Sequence, residues 1–156
     1  MNQLSEQQQI ELDSRFNQTM LVYWSQVAVI VVLTVIAWFS VGQTVADVPQ
    51  TLPTVLWIVL LVIAIGAFLM RRVMFNPKVL RDTATLKGAS GIVKNLQFKT
   101  ILFAALGETV AVIGFVISLL TGDKYDMLRA AGIALIVFFI SFPRKKGWQA
   151  LAQSAP

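Results

Sequence analysis

Neither cysteine nor histidine occurs among the 156 residues. Without cysteine there is no disulfide framework and no thiolate metal site, and without histidine the chain lacks the usual haem or chlorophyll ligand and the usual proton shuttle. Most redox chemistry is thereby excluded. Charge is scarce too, at 13% of residues, about half the share in a soluble domain. There is no glycine-rich phosphate loop, no cluster of metal ligands and no serine beside a suitable base, so an enzyme is not expected. No cofactor is expected either, although apolar grooves between helices carry no motif by which a bound lipid or hydrophobic cofactor would be recognised.

What the chain has in abundance is apolar residues, 56% of the total. They gather in four stretches, 21–41, 54–70, 100–120 and 127–142, each near the roughly 20 residues that cross a hydrocarbon core. None alternates in the manner of a membrane β-barrel strand. The expected fold is therefore all-α: an integral membrane four-helix bundle, antiparallel, forming a single domain over 1–156. The first stretch follows an acidic leader (Glu6, Glu11, Asp13), is too long for a signal peptide and precedes a poor cleavage site at Thr44-Val45-Ala46, so it is expected to be retained.

Orientation follows from the cations. Arg15 lies in the leader 1–20; Arg71, Arg72, Lys78, Arg81, Lys87, Lys94 and Lys99 lie in the segment 71–99; Arg144, Lys145 and Lys146 follow the last stretch. The opposite side has only Lys124 and Arg129. Because short cytoplasmic loops hold the excess of Lys and Arg, the N- and C-termini and the basic loop 71–99 are expected to be cytoplasmic, with a bacterial inner membrane as the expected location. The net charge of +5 is thus read as topology, and no nucleic-acid partner is expected. Tyr23, Trp24, Phe98 and Trp148 fall at the inner boundary, and Trp38, Trp57 and Tyr125 at the outer one. Arg71, Arg72, Lys78, Arg81, Arg144, Lys145 and Lys146 are candidate contacts for anionic lipid; the alternative is a simple topology anchor.

Two local signals stand out in the polar segments. Ser5-Glu6-Gln7-Gln8 resembles a capping box, so the leader is either a short helix near the membrane or a frayed tail. Asn76-Pro77 opens a helical piece over 78–87, followed by a break at Gly88-Ala89-Ser90-Gly91.

Glu108 is the one acidic residue well inside a stretch. It lies about 12 Å from the inner edge of the third span at 1.5 Å per residue, where an ionised carboxylate costs a few kcal/mol or more. It therefore requires a partner or a proton. Gln26, with Ser25 beside it, falls at nearly the same depth in the first span, which makes a hydrogen bond from protonated Glu108 to Gln26 the expected arrangement. Ala104, Gly107, Ala111, Gly114 and Ser118 recur at steps of three and four, forming a small-residue face that lets another helix approach closely.

The run 105–119, Ala-Leu-Gly-Glu-Thr-Val-Ala-Val-Ile-Gly-Phe-Val-Ile-Ser-Leu, resembles the ion-carrying helix of the c subunit, or proteolipid, of rotary ATP synthases. In that family a carboxylate is followed six residues later by glycine, as Glu108 is by Gly114. The resemblance implies that Glu108 takes up and releases a proton. The rest of the chain departs from the family: the second span has no repeated-glycine stripe, the central loop is much longer, and Arg71-Arg72 does not reproduce an Arg-Gln-Pro motif. Two functions are therefore carried forward. One is a non-catalytic accessory or structural subunit that joins other membrane-protein subunits, or itself, through small-residue helix faces. The other is proteolipid-like proton or cation translocation through Glu108.

Overall fold

The computed structural model of the chain describes residues 5–40, 49 and 51–153, except for the side chains of Pro77, Arg81 and Lys87. Residues 41–48 and 50, which include the end of the first stretch and Thr44-Val45-Ala46, lie outside the described residues. Among those described there are five helices and no strand: α1 (Glu6–Ser40), α2 (Thr51–Met74), α3 (Pro77–Thr121), α4 (Lys124–Ser141) and α5 (Lys145–Gln153). Four helical regions are long and apolar enough to cross a membrane: α1, α2, Gly88–Thr121 and Lys124–Gln153. An integral membrane protein fits this composition.

The helix ends follow from local chemistry. Gln8 N donates to Ser5 Oγ at 3.3 Å while Ser5 N donates to Gln8 Oε1 at 3.1 Å, a reciprocal capping box that starts α1. No break then separates the leader from the first span. The 35 residues of α1 reach about 52 Å, well beyond a hydrocarbon core of about 30 Å. At the start of α3 the Asn76 side chain accepts from Lys78 N at 3.0 Å, and Pro77 occupies the first turn, where its missing N–H is harmless.

The segment 71–99 is not a loop. α2 carries Arg71 and Arg72 in its last turn, the chain turns at Phe75–Asn76, and helix resumes at once. The one interruption is Gly88, at φ 68° and ψ −178°, a backbone region essentially restricted to glycine. The Lys, Arg, Leu and Ala of this segment are good helix formers, and without a breaker they continue the helix. At the far end Gly122 closes α3 in the left-handed region, its N–H donating to Ser118 O. Asp123 then caps α4 by accepting from Tyr125 N.

α3 is the axis of the fold and packs against every other helix, whereas the backbones of α1 and α2 do not come close to each other among the described residues. Hydrogen bonds Glu11–Ser90 and Arg15–Gln97 ascend together, so α1 and α3 run in the same direction. Tyr23–Phe138 and Trp38–Tyr125 run oppositely, as do Gly114–Ala130 and Thr121–Asp126, so α4 opposes both.

Two principal apolar cores result. The larger one joins α1 to α4 around Ile30, Leu60, Val110, Ala111, Ile117, Ala130 and Ala134. The second joins Leu12 of α1, Leu80, Ala84, Ile92, Val93 and Leu96 of α3, and Trp148 and Ala152 of α5. Parts that read as tail, loop and terminus thus pack into one body. Short α5, with Trp148, Leu151 and Ala152 at spacings of three and four, closes it.

Candidate functional site

The Arg15–Gln97 bond, 3.1 Å long, sets the register of α1 against α3. Three turns further along both helices, on the same face, come Gln26 and Glu108. Both are half-buried. The expected bond between them is nevertheless not formed, and Gln26 Oε1 is enclosed without a partner. Depth brings two residues to one level, but the side-chain rotamers decide whether they meet. Ser25 is not part of the pair, because it sits on the exposed side of α1 and its hydroxyl donates to Val22 O at 2.7 Å.

The small-residue face has its partner within the chain. A Cβ on Gly107 would lie 2.6 Å from the Phe138 ring, and one on Gly114 would collide with the Cβ of Ala130. Ala104, Ala111 and Ser118 are buried along the same line, and the Ser118 hydroxyl donates to Phe115 O. The helix that this face admits is α4.

The basic end sorts its cations by role. Arg15 bonds Glu11 at 2.8 Å and Gln97 at 3.1 Å. Those bonds, first from Arg15 and then from Ser90, hold the Glu11 carboxyl below its ordinary pKa of 4.5. Lys145 forms an ion pair with Asp13 at 3.0 Å. Buried Lys99 donates to Met74 O at 2.7 Å, capping the C-terminal end of α2, and stands 5.9 Å from the Phe75 ring. Of the candidate lipid contacts, Arg72, Lys78 and Lys146 point to solvent-accessible surface, and the Arg81 side chain lies outside the described residues.

Arg71 and Arg144 are brought together. Both line a cleft of about 490 Å³ beside the second core, with Phe75, Leu96, Ser141 and Trp148. Arg71 lies 5.8 Å over the Phe75 ring, and its Nε is enclosed without a hydrogen-bond partner. Ser141, only 5% exposed, likewise has an unpartnered Oγ. A second, apolar groove of about 260 Å³ runs between α2 and α4 and shares Arg71, Ile140 and Ser141 with the first.

Two polar fastenings were not anticipated. The Tyr23 hydroxyl donates to Phe138 O at 2.6 Å, satisfying a carbonyl in the last turn of α4. Buried Asp126 accepts from Thr121 Oγ1 and Arg129 Nη1, both at 2.9 Å, and so clasps the α3–α4 turn. The i to i+3 spacing of Asp126 and Arg129 signals the second bond, but no sequence spacing signals a tyrosine bonded to a carbonyl 115 residues away. Among the described residues no group of His, Cys, Asp and Glu is placed to hold a metal ion. Compared with protein-family models, curated proteins and solved structures, the chain matches none.

Proposed function

We propose that this chain is a non-catalytic integral membrane protein of a bacterial cytoplasmic membrane, an antiparallel bundle with its termini and basic end in the cytoplasm, acting as an accessory or structural subunit of a larger membrane assembly. The uneven covering of its helices carries this reading. In the most apolar stretch of each, 44% of residues are buried for both Gly88–Thr121 and Lys124–Gln153, against 17% for α1 and 11% for α2. α1 and α2 thus present wide apolar faces to lipid or to a neighbouring subunit. Exposed Gly66 on α2 and Gly132 on α4 have nothing within 4 Å of a built Cβ, so a partner helix can approach closely there. The test places a photo-crosslinking residue at exposed Val62 in native membranes, with buried Val110 as the control position. A discrete protein adduct from Val62 alone supports a subunit role, and adducts to lipid alone remove it.

The second reading, proteolipid-like proton or cation translocation, is favoured by Glu108 and Gln26 sharing one level of the α1–α3 seam without bonding. Glu108→Gln separates the two. A subunit held by packing keeps its assembly with glutamine, whereas an ion carrier loses all flux in proteoliposomes because the titrating group is gone.

A further inference from the structure

We infer that the cleft beside the second core and the groove between α2 and α4 form one binding site for an anionic phospholipid, its phosphate held by Arg71 and Arg144 and an acyl chain lying in the groove. The inference needs the chain to span a bilayer but does not depend on any partner subunit.

Three observations converge. First, among the described residues the lining of the cleft has two guanidiniums and no acidic side chain, so its field favours an anion. Second, it holds two enclosed polar atoms without partners, Arg71 Nε and Ser141 Oγ. Buried polar groups are nearly always bonded, and an anion in the cleft would bring acceptor oxygens to the two residues that carry these atoms. Third, the cleft does not end at the charges. It passes through Arg71, Ile140 and Ser141 into the α2–α4 groove, whose lining is otherwise apolar. Ile65, Phe68 and Ile136 form an exposed rim there, and they belong to helices long and apolar enough to cross a membrane.

The shape separates candidate ligands. Free phosphate satisfies the arginines and leaves the groove unused. A neutral apolar molecule fills the groove and leaves Arg71 Nε and Ser141 Oγ unbonded. A zwitterionic phospholipid brings its own cation to a site that already has two. An anionic phospholipid fits all three features, and the location of Arg71, in the last turn of α2, suits a headgroup at the membrane boundary.

The test is native mass spectrometry of the detergent-purified full chain titrated with phosphatidylglycerol, phosphatidylcholine or inorganic phosphate. Wild type is expected to bind one phosphatidylglycerol in preference to phosphatidylcholine. Each of Arg71→Gln and Arg144→Gln is expected to weaken that binding on the order of tenfold, the value of one charged hydrogen bond. Ile136→Trp, a change on the exposed groove rim, is expected to weaken it by a similar factor with both arginines intact. If a variant at Arg71 does not fold, the Ile136→Trp and Arg144→Gln titrations decide. Equal binding of the two lipids, or unchanged binding in the arginine variants, overturns the headgroup site. Unchanged binding in Ile136→Trp overturns the acyl seat, and binding of inorganic phosphate with no lipid bound overturns the lipid as ligand.

Discussion

The two cores are made of similar residues but are held together by different physics. In the membrane core, lipid tails are as apolar as Ile30 or Val110, so little is gained by moving those side chains from lipid to protein. Cohesion there comes from close contact: Gly114 against Ala130, Gly107 against Phe138, and the Tyr23 hydroxyl on Phe138 O. In the end core, Leu12, Leu80, Ile92 and Trp148 sit under a polar surface that includes Glu11, Arg15, Asp13 and Lys145. There the hydrophobic effect supplies the driving force, and large side chains matter more than small ones. Glycine is therefore the informative residue in one core and tryptophan in the other.

The comparison can be broken by experiment. Trp148→Ala removes the largest side chain of the end core, at an expected cost of about 3–5 kcal/mol. α5 should then detach and trypsin should cut at Lys145–Lys146, while circular dichroism shows the spans still helical. Loss of the spans as well would mean that the two cores fold as one unit. Gly114→Val should act on the other core, forcing α3 and α4 apart at a cost of about 3 kcal/mol. It should lower the unfolding midpoint in detergent without exposing the α5 site to trypsin. Tyr23→Phe deletes one hydrogen bond inside the membrane core, and a loss of about 1 kcal/mol is expected in the same unfolding measurement.

The smallest effect is electrostatic. Glu11 has a lowered pKa in the folded chain, so its contribution is complete above the ordinary value of 4.5 and is lost as pH falls through the lower folded value. The pair with Arg15 is partly solvated, so Glu11→Gln should lower stability at neutral pH by under about 1 kcal/mol. The difference between wild type and variant should vanish in acid, as read from unfolding midpoints at a series of pH values.

Several elements of the fold were legible before the structure. The spacing Ser5 to Gln8, the pair Asn76-Pro77 and the break at Gly88 each act within one turn of helix, and each appears where the residues imply. The face from Ala104 to Ser118 reads correctly as a place where a helix comes close, but nothing in it names α4 as that helix. Equal depth of Glu108 and Gln26 follows from counting residues along parallel helices from the Arg15–Gln97 bond. Whether the side chains bond depends on helix rotation and rotamer, which counting does not supply.

By itself, the sequence determined the number of apolar spans, the placement of eleven of the thirteen cations at one end and the helix caps, because hydropathy, charge and capping are properties of neighbouring residues. Only the tertiary structure decided that Leu12, Leu80 and Trp148 share a core and that Arg71 and Arg144 face one cleft. Those meetings join segments far apart in the chain, and each segment alone is too short or too polar to show what it will pack against.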